Sequence, residues 1–278
     1  MAVAPMHDGF LVHKRFRYGW LALLLVGFVA AAFFYRDRLE GINVDLVFGY
    51  GLGGLALAIM LLLTWFGVRK RSYAKGAGPL KGWLSAHVYL GIALIFLVPM
   101  HGGFVIEPDI HGLAYVLVLI TAFTGVLGIA FYGLYPRRVA ANRDGLTFDD
   151  MVKRMAEVDI EIRGLSPKLS EAANDVVRGE VANLRIGGGG RMLFVKPRNR
   201  SRHAQMALHR LAIDNDAARR AEALLERKAD VVDRLQRDIQ MRSRLRVWLL
   251  LHVPLSLAAL AVVISHGVGM LVFGLGSV

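Results

Sequence analysis

Four histidines lie inside two hydrophobic segments of the chain and share one spacing. His87 and His101 are 14 positions apart, and so are His252 and His266. A neutral imidazole can bind a metal ion, relay a proton or form a hydrogen bond. An ionisable residue inside a bilayer is costly, so intramembrane histidines mark candidate functional sites. The repeated spacing therefore predicts paired histidine chemistry at two depths.

The helical period brings these histidines into register. Fourteen residues of α-helix rise about 21 Å and complete nearly four turns, so the two histidines of each segment share one face. If the two helices run parallel, His87 is level with His252 and His101 with His266. Two such pairs meet the needs of two stacked haems with axial histidine ligands. Hydrogen bonding between packed helices would explain a single histidine, whereas four at matched spacing favour ligands.

The elements that position these residues are segments long enough to cross a bilayer. Hydrophobic residues make up 55% of the 278-residue chain and occur in long blocks, which is typical of a membrane protein. No cleavage site of small residues follows the first block, so it is interpreted as an anchor. We predict an all-α membrane protein whose five transmembrane helices form a dihaem bundle. The predicted spans are 18–35, 46–68, 82–105, 112–135 and 247–273.

Lysine and arginine predict the orientation of these spans. Of the 34 basic residues, 32 fall on one side of the five spans, and only Arg36 and Arg38 fall on the other. Basic loops face the cytoplasm, so the amino terminus and residues 136–246 are predicted to be cytoplasmic and the carboxyl terminus external. This bias also accounts for the net charge of +12 without nucleic-acid binding. The predicted location is a bacterial-type inner membrane.

Three regions follow from this topology. Spans one to four, with a basic amino-terminal arm, occupy 1–135, a helical cytoplasmic insertion occupies 136–246, and the fifth span, at 247–278, completes the bundle. Within the insertion, helices are predicted near 147–162 and 169–184 and a short strand at 192–195. A helix that starts near Ser201 is predicted to run into the fifth span, folding back or breaking near residues 214–216.

The chain contains no cysteine. This excludes iron–sulfur clusters, haem attached through C-x-x-C-H, zinc–thiolate sites and disulfides. Any redox cofactor is therefore expected to be bound without a covalent link.

Small and basic residues near the four histidines are further candidates for the haem sites. Gly91 and Gly267 would leave space for the edge of a macrocycle. Lys81 and Arg246 each lie six positions before the first histidine of their segment. Together with Arg244, they could pair with haem propionates or act as anchors at the membrane boundary.

Two other positions keep alternative interpretations open. Gly53 belongs to a G-x-x-x-G pattern with Gly49, which indicates close helix packing or room for a flat macrocycle. His111 begins the fourth span and could serve a quinone or proton step, although an interfacial histidine is the simpler interpretation.

The histidine pattern, H-x13-H on each of two helices, resembles that of the dihaem b-type membrane cytochromes. It is similar to cytochrome b of quinol–cytochrome c reductases and, more closely in layout, to the ferric-reductase and NADPH-oxidase transmembrane domain. The resemblance implies that two haem b groups are bound by the pairs His87/His252 and His101/His266. The chain departs from these families in having five spans, no following flavin or nicotinamide domain and no Pro-Glu-Trp-Tyr motif. Electrons are therefore expected to come from a partner subunit, a soluble carrier or a membrane quinone.

The expected function is electron transfer across the membrane as a subunit of a larger redox complex, and whether the chain is itself an enzyme is left open. One alternative is a transporter or channel with a histidine relay, which would favour acidic residues in the spans, where there are none. Another is a signalling protein driven through the helix at 201–246, which would need an output domain.

Overall fold

The computed structural model describes residues 9–38, 45–71, 79–183, 186, 189–195, 198–211 and 215–274. Over this part of the chain all regular structure is helical, which confirms the predicted all-α class. The α-helices are α1 (Arg17–Phe34), α2 (Leu52–Arg71), α3 (Leu80–His101), α4 (Ile110–Arg143), α5 (Phe148–Leu165), α6 (Glu171–Asn183), α7 (Arg200–His209) and α8 (Asp216–Gly269). Short π-helical segments precede α2, at Asp45–Gly51, and follow α8, at Met270–Gly274.

Five helical stretches among the described residues are long and apolar enough to cross a membrane. Their number and positions agree with the five predicted spans, and they indicate a multi-pass membrane protein. Large apolar side chains such as Trp20, Phe28 and Leu250 remain exposed along them, as expected for surfaces that contact lipid. The five stretches are Arg17–Phe34, Phe48–Lys70, Leu80–His101, Ile110–Phe131 and Asp216–Phe273.

The chain divides into two compact units. The first contains Met1–Gly133 and Trp248–Val278, and the second contains Leu134–Val247. These boundaries fall within two residues of the predicted limits of the insertion. In the first unit, the core is centred on the buried Leu94 and Leu97 of α3. Ala259 of α8 is fully buried in the same core, midway between His252 and His266, where its small side chain allows close helix packing.

The second unit contains helices near both predicted positions. α5 begins with a capping box, in which the Thr147 hydroxyl accepts from the Asp150 amide at 3.1 Å and Asp150 accepts from the Thr147 amide at 2.9 Å. The hydrogen bond from the Thr147 hydroxyl lowers the pKa of the Asp150 carboxyl below its usual value. The cap thus satisfies amide groups that the first helical turn leaves free.

A cation is buried at the centre of this second unit. Lys228 of α8 is fully buried and pairs with Asp159 of α5 and with Glu180 of α6, each at 2.5 Å. The Ser201 hydroxyl of α7 donates to the other oxygen of Glu180. A buried charge is tolerated when it is paired and hydrogen-bonded, so these four residues join α5, α6, α7 and α8.

The predicted strand at 192–195 is wrong. The structure has a 3-10 helix at Gly189–Leu193. A strand needs a neighbouring strand to satisfy its backbone groups, whereas here side chains of α8 do so. The Met192 carbonyl accepts from Gln240 Nε2 at 2.7 Å, and the Leu193 carbonyl accepts from Arg244 Nε at 2.8 Å.

The predicted break before the last span is confirmed. α7 ends at His209 and α8 begins at Asp216, while Asp214 lies outside the described residues. Asn215 explains the new start, because its side-chain oxygen accepts from the amide groups of Ala217 and Ala218 at 2.8 and 3.3 Å. Asparagine is among the preferred residues at this capping position.

Candidate functional site

His87 of α3 is held by the helix that precedes it. Its Nδ1 lies 3.2 Å from the Leu63 carbonyl oxygen of α2, and its ring packs against Phe66 with centroids 5.0 Å apart. A carbonyl oxygen can only accept a hydrogen bond, so Nδ1 carries the proton. The lone pair of the neutral ring is therefore on Nε2, where it can bind a metal.

His252 of α8 has its tautomer fixed by a hydroxyl group. The Thr124 hydroxyl of α4 lies 2.8 Å from His252 Nδ1 and donates its own proton to the Thr121 carbonyl at 2.8 Å. The hydroxyl oxygen must therefore accept from Nδ1, which again leaves the lone pair on Nε2. Metal-binding histidines characteristically donate their other ring proton in this way.

The indole of Trp248 orients the same ring. Trp248 stacks on His252 with centroids 5.2 Å apart and planes 16° from parallel, and its Nε1 donates to the Thr124 carbonyl at 2.8 Å. Gly128 makes this contact possible, because a Cβ atom there would lie 2.2 Å from Trp248 Cζ2. Trp248 and Thr124 thus position His252 together.

His87 and His252 lie within range of electrostatic interaction with each other. They come from α3 and α8, the two helices predicted to carry the first pair of ligands. We call them the His87/His252 pair.

A second group contains three histidines where the sequence predicted two. His101 and His266 have ring centroids 6.3 Å apart, and His111 lies 5.6 Å from the first and 5.0 Å from the second. One ring nitrogen from each lies within 4.8 Å of the others, and all three side chains are partly buried. We call these residues the three-histidine cluster.

His111 was not predicted as a member of this cluster. It is the second residue of α4, and the short connection from α3 returns it to the level of His101. His101 and His111 are only ten positions apart, at the end of one span and the start of the next. This short separation could have predicted that the two histidines lie at the same level.

Two glycines make room for the rings of the cluster. A Cβ atom on Gly53 would lie 2.7 Å from His101 Cε1, and one on Gly102 would lie 3.0 Å from His111 Cε1. His101 is also held by its Nδ1, which lies 3.1 Å from the Phe48 carbonyl oxygen. The carbonyl fixes the proton on Nδ1, so the lone pair of His101 is also on Nε2.

The glycines and basic residues predicted to line the haem sites make contacts that give no evidence for or against a cofactor. Cβ atoms on Gly91 and Gly267 would meet leucine methyl groups at 4.0 Å, which is ordinary contact. Lys81 and Arg246 are exposed, and Arg244 donates to the Leu193 carbonyl. Their pairing with propionates stays a prediction.

The histidines of the pair and of the cluster offer donor atoms of the kind that would bind haem iron. His87, His252 and His101 each present an Nε2 lone pair, and neutral imidazole is a common ligand of haem iron. The ring centroids of His101 and His266 are 6.3 Å apart, and one nitrogen of each ring lies within 4.8 Å of the other, so both rings could reach one metal ion. The residues present therefore fit the group that the sequence pattern suggests.

No family model, curated protein or solved structure matches the chain. The resemblance to the dihaem membrane cytochromes therefore stays a prediction, and the functional argument rests on the geometry of the histidines.

Proposed function

We propose that this protein is a dihaem b-type cytochrome that carries electrons across a membrane. The pairs His87/His252 and His101/His266 would supply the axial ligands. One observation carries the proposal. Three of these four rings have Nδ1 hydrogen-bonded to a protein oxygen that acts as the acceptor, which leaves the Nε2 lone pair of each ring free to bind a metal.

Bound haem would supply iron that changes reversibly between two oxidation states. The protein's own residues would hold the ligand rings in a fixed orientation, whichever oxidation state the iron had. Thr124 and the Leu63 carbonyl hold the ring protons of His252 and His87. Trp248 limits rotation of the His252 ring through stacking.

Two ligand levels on the same helices suit transfer through the thickness of a membrane. His87 and His101 are separated by 14 residues of α3, or about 21 Å along the helix axis. That distance is a large part of a hydrocarbon core of about 30 Å. The two levels would therefore lie near opposite faces of the bilayer.

The surroundings proposed for the protein follow from its charge. We place the amino terminus and residues 136–246 in the cytoplasm and the carboxyl terminus on the other side of a bacterial-type inner membrane, because 32 of the 34 basic residues lie on the first side. The partners that suit this arrangement are a redox subunit, a soluble electron carrier or a membrane quinone.

A spectrum of the purified full chain tests the proposal directly. We expect b-type absorption bands on reduction and about two non-covalent haems per chain, measured as the pyridine complex. His209→Ala is a matched control, since this exposed histidine pairs with Glu222, and its haem content should be unchanged. A folded preparation without haem would contradict the proposal.

The partly buried three-histidine cluster supports a second candidate function, a histidine relay in a transporter or channel. Vesicles containing the haem-free chain would then conduct protons or metal ions, and His111→Gln would slow that flux. Two haems per chain and no flux would exclude this candidate.

A further inference from the structure

The three-histidine cluster has the donor set of a metal centre in its own right. Its rings come from the end of α3, the start of α4 and the apolar part of α8, and their nitrogens converge within 4.8 Å. Three neutral imidazoles with an open fourth position form a recurrent site for zinc in proteins. Axial ligation of haem would use only two of these rings and leaves His111 without a role.

We propose that the three-histidine cluster binds one divalent late transition-metal ion, such as Zn²⁺ or Cu²⁺, when no haem occupies this level. His101, His111 and His266 are its ligands. Because two of them are the ligands proposed for a haem, this level holds either the ion or the haem at one time. The inference goes beyond the proposed electron transfer and does not depend on it.

The surroundings of the cluster favour a cation. His101 is set in the ligand tautomer by its hydrogen bond to the Phe48 carbonyl. The Asp109 carboxylate lies close enough to His266 for their charges to interact, and its position is fixed by the Gly112 amide, which donates to it at 2.8 Å. A nearby fixed anion offsets the charge of an ion held by three neutral rings.

The partial exposure of the three rings leaves a path for an ion. Each of the three histidines is partly exposed, and the connection between α3 and α4 next to them is exposed at Phe104, Val105 and Ile106. An ion can therefore reach the ligands without opening the buried core around Leu97.

The donor atoms determine which ions bind. Imidazole nitrogen suits zinc, copper and nickel, and for such sites affinity peaks at Cu²⁺. Mg²⁺ and Ca²⁺ prefer oxygen ligands, so they should not compete. This selectivity separates a built site from general attraction of cations to the protein.

The test uses the full chain produced without haem, stripped with a chelator and kept in detergent. Zn²⁺ binding is measured at equilibrium, and Co²⁺ is used as a probe whose visible bands report nitrogen coordination. We expect one equivalent of Zn²⁺ per chain, unaffected by excess Mg²⁺. Removing a residue that only hydrogen-bonds a metal ligand typically weakens metal affinity roughly 10–100-fold. His111→Gln removes a ligand itself, so it should weaken Zn²⁺ binding by more than this.

Matched variants make the result decisive. His209→Ala removes an exposed histidine of α7 and should leave Zn²⁺ affinity unchanged. Circular dichroism checks that each variant is folded. His266→Gln removes a second proposed ligand, so the test can still be made if His111→Gln does not fold. Unchanged affinity in folded ligand variants, equal losses in the control, or no stoichiometric binding would each overturn the inference.

Haem content, measured on the chain produced with haem, separates this inference from the proposed function. One equivalent of Zn²⁺ and no haem in any preparation would support the metal site and contradict the cytochrome. Two haems per chain together with no Zn²⁺ binding by the haem-free chain would support the cytochrome and contradict the metal site.

Discussion

The His87/His252 pair and the three-histidine cluster hold their rings in different ways. In the pair, both rings donate from Nδ1 to a protein oxygen, and Trp248 stacks on one of them. In the cluster, the rings contact one another, two of the three pairs edge to face, with centroids 5.0–6.3 Å apart, and His101 is tied to the Phe48 carbonyl.

The two sites therefore differ in what sets the orientation of their donor atoms. The pair has two donors whose orientation is set by neighbouring helices, which suits a single coordination arrangement. The cluster has three donors within reach of one point, which suits more than one coordination arrangement. Glycine serves both sites, although Gly128 admits the supporting Trp248 whereas Gly53 admits the ligand His101 itself.

Removal of one histidine of the proposed ligand pairs should have the largest effect, because it should empty one site and leave the other occupied. We expect His87→Ala and His252→Ala to remove the same haem, taking the content from about two per chain to about one, because each deletes an axial ligand of one iron. His101→Ala and His266→Ala should remove the other haem. Haem content and the spectrum of each variant measure this, and equivalence of His87→Ala with His266→Ala would contradict the pairing.

Gly53→Ala should disturb the cluster alone. The new methyl group would lie 2.7 Å from His101 Cε1, so the ring must move, with a cost of about 1–3 kcal/mol in stability and reduced occupancy at this level. Gly54→Ala is the control, because a Cβ atom there meets nothing within 4 Å. Thermal unfolding and haem content compare the two variants, and equal behaviour would show that the close approach has no effect.

Thr124→Val should disturb the pair alone. Valine keeps the shape of threonine but leaves the His252 Nδ1 proton without an acceptor, and we expect haem affinity at this level to fall roughly 10–100-fold. Haem release to an acceptor protein measures the loss. Thr121→Val is a matched control, since its buried hydroxyl has no partner among the described residues. A comparable loss in that control would argue against the role of the Thr124 hydroxyl.

Trp248→Phe should have the smallest effect. Phenylalanine retains an aromatic ring for stacking but removes the Nε1 hydrogen bond to the Thr124 carbonyl, a change of about 1 kcal/mol. We expect haem release to accelerate a few-fold at the level of the pair. Faster release than in Thr124→Val would mean that the indole, and not the hydroxyl, controls the orientation of His252.

Sequence patterns could predict the helices and the faces that carry the histidines. Periodicity and length are local properties, so the five spans and the spacing of the four histidines along their helices follow from residue order. The neighbour that a face meets depends on how helices rotate and cross, which one sequence does not specify. For this reason His111, Thr124 and Trp248 were missed as partners, even though Thr124 and Trp248 lie in predicted spans and His111 directly precedes one.

The failed strand at 192–195 has a similar cause. Its short run of apolar residues fits a strand or a helical segment equally well. In the structure the Met192 and Leu193 carbonyls accept hydrogen bonds from Gln240 and Arg244, which lie 48 and 51 positions further along the chain. Asn215 was easier to interpret, because a capping side chain acts on the two or three residues that follow it.

The position of α8 in the chain has a consequence for biosynthesis. This helix completes the second unit with Lys228 and then supplies His252 and His266 to the first. A ribosome makes α1 to α4 well before it reaches these residues, so His87 and His101 are synthesised before His252 and His266. On the proposed function, a haem held by both histidines of a pair would therefore have to be loaded after α8 is made.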